Sequence, residues 1–255
     1  LTLFCLLIPC LSWAQGDEVR FSPEGGVYAV AFPVTITCDN PGLVIRYTLN
    51  GSFPTGKSAR YSAPLMLDSR LQSQSDIYRI PNAPKSEFHL PKSVTKGIVI
   101  RAAAFDNSGN RVSPVVTQSY FIGSIGCDLH GLPVVSLCAD SLALFDHDTG
   151  ILVPGALFDP EHVDLPGNYS QHGRDWERAV NVEFYDAGNK GFNQNAGLRT
   201  HGGPVTRRAQ QKGLKIYARE EYGQKNFKYR IFEESPTDKF KHLILRPFSN
   251  SCTAA

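Results

Sequence analysis

Between residues 19 and 122, apolar and polar positions alternate in short runs. Val34-Thr-Ile-Thr-Cys38 places Val34, Ile36 and Cys38 on one face, and Leu43-Val-Ile-Arg-Tyr-Thr-Leu49 places Leu43, Ile45, Tyr47 and Leu49 on one face. Ile98–Phe105 and Val115–Ile122 repeat the pattern. A period of two carried by Val, Ile, Thr, Tyr and Phe predicts strands half buried against a second sheet. Turn chemistry separates the runs at Pro41-Gly42, Asn50-Gly51 and Asn107-Ser-Gly109, where glycine and asparagine reach backbone conformations closed to most residues. No long helical period interrupts them, so a small antiparallel sandwich is the expected solution. Ser69 to Lys96 is polar and carries Pro81, Pro84 and Pro91, and reads as a long loop within the sandwich.

After Gly123-Ser-Ile-Gly126 the texture changes, and residues 123–131 read as a linker to a second domain over 132–255. Leu132–Leu137 predicts a strand. Asp140-Ser-Leu-Ala-Leu-Phe145 predicts a short helix, with Asp140 as N-cap because its carboxylate accepts from the first free amides. Asp146 to Ser170 is loop-like. Apolar runs over Ala179–Tyr185, Ala196–His201, Gly213–Arg219, Phe227–Phe232 and Leu243–Arg246, with turns at Asp186-Ala-Gly188 and Glu221-Tyr-Gly223, predict an antiparallel meander. The chain is therefore expected to be mainly β, a sandwich followed by an antiparallel α+β domain. The second domain is expected to leave apolar sheet surface uncovered, and to be the less stable of the two.

Residues 1–14, LTLFCLLIPCLSWA, form an apolar run closed by Ser12 and Ala14, the small residues that precede a signal-peptide cleavage site before Gln15. Gln15-Gly16-Asp17-Glu18 ends the run short of the roughly 20 apolar residues of a transmembrane helix. The expected product is exported, to the cell surface, the medium or a periplasm, with no membrane segment after cleavage. A net charge of +2 over 255 residues argues against a general nucleic-acid binder. Cys5 and Cys10 leave with the leader, and Cys38, Cys127, Cys138 and Cys252 remain. In an oxidising compartment a Cys127–Cys138 bridge and free thiols are both open readings.

Positive charge is concentrated between Arg199 and Arg230, where Arg199, Arg207, Arg208, Lys212, Lys215, Arg219, Lys225, Lys228 and Arg230 are opposed only by Glu220 and Glu221. That density suits an anion such as a nucleotide phosphate; a solvated basic sheet face is the other reading. Alternation puts Lys215, Tyr217 and Arg219 on one face of their strand, with Lys212 at its mouth. Asp146-His-Asp148-Thr-Gly150 opens like a calcium loop, but Leu157 stands where the closing Glu belongs, so a polar turn is expected. The seven His, among them His130, His172 and His201, lack zinc-type spacing. Tyr28, Phe32, Tyr47, Phe53, Tyr61 and Tyr78 are the sandwich aromatics available to stack on a sugar, provided they are exposed.

Two ordered series of residues resemble known families. Pro23-Glu-Gly-Gly26, Ile45-Arg-Tyr-Thr-Leu-Asn-Gly-Ser-Phe-Pro-Thr55, Tyr61 with Pro64-Leu65, Ile100–Phe105 and Ser113 to Tyr120 are similar to the chitobiase/β-hexosaminidase C-terminal-type module, with Asn50 where Asp is usual. The resemblance implies an immunoglobulin/fibronectin-like sandwich over 19–122. Leu132–Leu137, Leu144–Ile151, Trp176-Glu-Arg178, Val182-Glu-Phe184, Gly197–Gly203, Gln211–Gly223 and Leu245–Asn250 resemble the N-terminal part of CotH-type (spore-coat) kinases. This second resemblance implies a bacterial-type exported protein whose domain over 132–255 is a truncated, kinase-like N-lobe. It further implies ATP and Mg²⁺ as cofactors of a longer parent, with the metal ligands and base supplied by a lobe after residue 250. By resemblance Lys212 is the leading phosphate contact and Lys215 the second, with Gly202, Gly203 and Arg199 beside them. The chain as given is expected to be catalytically silent, with no catalytic residue of its own. Alternative readings are an extracellular ATP-dependent kinase as the parent, and carbohydrate binding, for instance of cell-surface polysaccharide, through the sandwich.

Overall fold

The computed structural model describes residues 17–68, 76–92, 94, 96–123, 132–186 and 189–247. The expected leader, Cys127, Cys252, His130 and nearly all of the expected linker lie outside these residues. Period-two runs close the first unit as a sandwich. Its strands are β1 (Val19–Ser22), β2 (Gly26–Tyr28), β3 (Phe32–Cys38), β4 (Val44–Thr48), β5 (Ala59–Arg60), β6 (Leu65–Leu67), β7 (Ile98–Phe105) and β8 (Val116–Ile122). A three-stranded sheet, β1-β3-β6, faces a five-stranded sheet, β2-β8-β7-β4-β5. All ladders are antiparallel except β2 on β8. Val19, Phe21, Val34, Ile36 and Leu67 from one sheet meet Ile98, Ile100, Ala102, Ala104, Tyr120 and Ile122 from the other. Leu43, Ile45, Tyr47 and Leu49 pack on that core, on the face their spacing predicts.

The second unit comprises β9 (Val134–Cys138), α1 (Ser141–Phe145), β10 (Arg178–Asp186), β11 (Asn189–His201), α2 (Pro204–Arg208), β12 (Gly213–Tyr217), β13 (Phe227–Lys228), β14 (Lys239–Phe240) and β15 (His242–Leu245). The order β15-β12-β11-β10-β9 is the expected antiparallel meander, and β13 and β14 form a separate two-stranded ladder. Asp140 caps α1, accepting from the Leu142 amide at 2.9 Å. Two strand lengths differ most from expectation. β11 begins at Asn189, although Phe192 is the one large apolar residue before Ala196, and the expected strand over Phe227–Phe232 keeps only Phe227 and Lys228.

The apolar face of this sheet is not bare, contrary to expectation. Val180, Val182, Ala196, Leu198 and Ile216 are covered by Leu144 of α1, by Ile151, Leu152 and Trp176 from the loop-rich segment, and by Phe227 and Phe240 from the β13–β14 ladder. A segment without regular structure closes a core here because it brings apolar side chains at wide intervals, which a periodicity reading does not register.

The opposite, polar face of β9–β11 lies against the outer face of β7 and β8. Ser119 Oγ and Ser136 Oγ are 2.8 Å apart. Asn193 donates to the Thr117 carbonyl at 2.7 Å, Tyr185 donates to the Ser119 carbonyl at 3.1 Å, and the Phe121 and Tyr185 rings meet edge-on at 5.9 Å. Arg101, also on the outer face of β7, is 3% exposed and donates to the Gly51 carbonyl at 2.9 Å, beneath the Phe53 ring. The Cys138 thiol donates to the same carbonyl at 3.6 Å. The polar stretch before β7 supplies a second clamp. Gln210 exchanges two hydrogen bonds with the His89 backbone, at 2.9 and 2.8 Å, and Asn82 donates to the Gln210 carbonyl at 3.0 Å. What reads as a loop within the sandwich is therefore also a contact between the two units.

Candidate functional site

The polar face of the second sheet continues past the sandwich onto β11, β12 and β15. Antiparallel register sets Arg199 opposite Lys215, Gly197 opposite Tyr217, and His201 opposite Gly213. On the far side Lys215 faces Ile244 and Tyr217 faces His242. The expected grouping of Lys215, Tyr217 and Arg219 is present, with Arg199 added from the neighbouring strand. Three cations surround the Tyr217 ring: Arg199 at 4.2 Å from its centroid, Arg219 at 4.8 Å and Lys215 at 5.2 Å. An aromatic face attracts each cation, but it does not cancel their mutual repulsion.

One buried carboxylate offsets part of that repulsion. Glu177 has a side chain 1% exposed. It accepts from Arg219 Nε at 2.9 Å and Nη2 at 3.0 Å, a two-pronged contact. Arg174 Nη1 donates at 2.9 Å and the Tyr222 hydroxyl at 3.1 Å, and Arg199 Nε lies 3.4 Å away. Arg174 also pairs with Glu221. The carboxylate fits because residue 197 is glycine: a β-carbon there would lie 2.2 Å from Glu177 Oε1.

Positive charge remains in excess, and two imidazoles register it. The His201 pKa is lowered by burial first and then by Lys215, Arg207, Arg246 and His242. The His172 pKa is lowered by Arg207 first, then by burial and Arg199. Beside this face lies a cavity of about 600 Å³ lined by His201, Gly202, Gly203, Thr206, Gly213, Ile244, Leu245, Arg246 and Pro247. Gly202 takes φ +110, a conformation that side chains disfavour. Buried Arg207 locks the turn, donating to the Gly202 carbonyl at 2.7 Å, the Gln171 carbonyl at 3.0 Å and Thr200 Oγ1 at 3.2 Å.

The structure thus brings Arg199 and Lys215 together and places Gly202 and Gly203 at the adjoining cavity. Lys212 is set apart. Only 8% exposed, it donates to the carbonyls of Arg207 at 2.8 Å, Ala209 at 3.1 Å and Arg208 at 3.5 Å. Its ammonium sits 4.3 Å from the centroid of the buried Tyr169 ring. It satisfies carbonyls that the end of α2 leaves open, while burial pushes its pKa down to about 7. Glu177, Arg174, Arg246 and His242 were not singled out from sequence. Trp176-Glu-Arg178 held the one available signal, a carboxylate within the string that resembles the CotH-type pattern, with no role assigned to it.

Other expected features also have definite places. Asp146 Oδ1 accepts from the Asp148 and Thr149 amides at 3.0 and 2.9 Å, the polar turn anticipated for that segment. Among the described residues no group of three or more His, Cys, Asp or Glu side chains gathers as for a metal. Tyr28, Phe32, Tyr47 and Tyr61 pack against the sandwich core. Phe53 lies against Arg101, and Tyr78 is flanked by Arg79 and Lys96.

Residues 34–120 match the family model described as Fn3 associated. This segment is a fibronectin-associated β-sandwich module, and it spans strands from both sheets of the sandwich. Neither the curated proteins nor the solved structures contain a match to the chain.

Proposed function

We propose that the chain belongs to an exported, CotH-like modular protein, in which the sandwich is an accessory unit bracing a phosphate-binding sheet domain. The observation that carries this reading is the excess of positive charge around Tyr217, where Arg199, Lys215 and Arg219 share one ring and Glu177 offsets only part of their charge. Arg199 and Lys215 are the phosphate contacts, and Gly202 and Gly203 give the phosphate close access to backbone at the cavity rim. Lys212 supports α2, whose first residues follow that rim. The ligand class is a nucleotide polyphosphate such as ATP. The donor set fits the anion: guanidinium, ammonium and exposed glycine backbone. It does not fit Mg²⁺, which takes carboxylate oxygens, and we assign these residues binding and no transfer step.

Calorimetric titration with ATP tests the proposal. Binding is expected to weaken steeply with added salt, and to fall by about tenfold or more in either Arg199→Ala or Lys215→Ala, since each charge-assisted contact contributes roughly 1.5–3 kcal/mol. Wild-type protein that takes up no ATP and no inorganic triphosphate refutes it.

A further inference from the structure

Alternation along β10 turns Val180, Val182 and Phe184 to the apolar core, and Asn181, Glu183 and Tyr185 to the sandwich. Glu183 is fully buried. Its Oε1 lies 2.7 Å from the Tyr185 hydroxyl and 3.2 Å from Asn193 Nδ2. Its Oε2 makes no hydrogen bond of full geometry. The Ser119 hydroxyl and amide approach the carboxyl without completing such a bond to Oε2, and burying an ionised carboxylate so poorly matched is costly; a buried group avoids the cost by taking up a proton.

The hydrogen count points the same way. The Tyr185 hydroxyl lies 3.1 Å from the Ser119 carbonyl on the other side of the interface, as well as 2.7 Å from Glu183. A phenol has one proton to give, and a carbonyl can only accept. If Tyr185 donates to Ser119, the short contact with Glu183 needs a proton from the acid. A neutral Glu183 therefore completes a directed chain, from Glu183 to Tyr185 to the Ser119 carbonyl, that crosses from one unit to the other. An ionised Glu183 draws the Tyr185 proton back and leaves the Ser119 carbonyl facing a lone pair.

We propose that Glu183 holds a proton in the folded chain and that this proton couples the two β units, which bind each other most tightly with Glu183 neutral and less tightly once it ionises. The surrounding groups do little to oppose this. Lys190 on β11 favours the anion but is paired with Glu24 at 2.5 Å. Tyr120 on β8 and Cys138 on β9 are both raised in pKa by burial first, with Glu183 adding to each, and both are uncharged near neutrality. Arg101 on β7 acts on Cys138 and is bonded to the Gly51 carbonyl. The Ser119 hydroxyl and amide, and the Tyr185 hydroxyl, pull the Glu183 pKa down, but burial is the largest influence and raises it.

The sign follows from the raised pKa. The unfolded chain loses the Glu183 proton near the ordinary value of 4.5, and the folded chain loses it at a higher pH. The contribution to stability is complete below 4.5 and disappears as pH rises through the folded value.

Glu183→Gln tests this, because the amide keeps a donor for Tyr185 and cannot ionise. In melts from about pH 5 to about pH 8, wild type should lose stability relative to Glu183→Gln as pH rises, by up to about tenfold in folded-to-unfolded ratio per unit. Hydrogen exchange at the β8 and β10 amides should speed up over the same range beyond its intrinsic pH dependence. Parallel profiles for the two proteins overturn the proposal. Infrared spectroscopy of wild type labelled with ¹³C-glutamate avoids reliance on the variant folding. A protonated side-chain carboxyl band at pH values well above the ordinary carboxylate range supports the assignment, and its absence overturns it.

Discussion

Removing the Glu177 carboxylate is the sharpest test of the arginine cluster. In Glu177→Ala, Arg219 loses two hydrogen bonds, Arg174 and Tyr222 lose one each, and Arg199 loses its nearest counter-charge. Truncating one partner of a buried ion pair costs about 3–5 kcal/mol. Arg174 and Arg219 are 44% and 36% exposed, so water recovers part of their loss and the lower end, about 3 kcal/mol, is expected. For a chain of this size that is a fall of roughly 6–12 °C in melting temperature. The variant should regain stability with added salt, which screens the three guanidinium groups, and more with phosphate than with chloride at equal ionic strength. Gly197→Ala attacks the same contact from the other side, since the new β-carbon meets Glu177 Oε1, Cδ and Cγ. Its cost should largely vanish in the Glu177→Ala background, giving a coupling energy of about 1–3 kcal/mol. A drop in melting temperature under roughly 2 °C, or additive effects in the double variant, would refute the view that one carboxylate holds the cluster together.

Two further outcomes are expected. Burial lowers the Lys212 pKa from 10.5 to about 7, so the unfolded chain binds the extra proton between those values; wild type should gain stability relative to Lys212→Met as pH rises through that window, and equal slopes in paired melts would contradict it. Gly202→Ala places a β-carbon at φ +110 and 2.7 Å from Thr206 Cγ2, and should cost about 1–3 kcal/mol in a urea titration while weakening triphosphate binding; an unchanged midpoint would show that the turn relaxes freely.

The core strands were legible because their signal is local. Val34 and Ile36 alternate with threonines and Ile98 and Ile100 recur at a spacing of two, and each is at most 4% exposed. The packing of the two units on each other was not legible, for an equally physical reason. Thr117, Ser119, Ser136 and Asn193 are small polar residues on strand faces, and a sequence pattern assigns such faces to water. Burial of these groups is tolerated only because partners from the other unit satisfy them, and partnership across long sequence distances has no period. Lys212 illustrates the same limit. Gln210-Gln211-Lys212-Gly213 reads as a basic strand entrance, whereas three carbonyls from the preceding turn and the Tyr169 ring take up the ammonium. Arg199 and Lys215 lie 16 positions apart, and only the β11–β12 register makes them neighbours.

The two interfaces of the second sheet together explain where the candidate site lies. Among the described residues its apolar face is packed mainly by the chain's own loops and the β13–β14 ladder, so the polar side is where strand surface is left for an anion. Its polar face is shared: the sandwich covers Ser136, Cys138, Glu183 and Tyr185, and ends before Arg199, Lys215 and Tyr217. The accessory module therefore determines which part of a continuous polar face is left for an anion. Loosening the Glu183–Tyr185–Ser119 contact would uncover additional polar sheet beside the basic patch without altering the patch itself. Anion affinity should then depend on Arg199 and Lys215, while the area of sheet accessible beside them depends on the proton at Glu183. Measuring triphosphate affinity in Tyr185→Phe, which removes the hydrogen bond to the Ser119 carbonyl, separates the two: an unchanged affinity is expected if the patch is complete in itself, and a large change would mean that the sandwich contributes to the anion site.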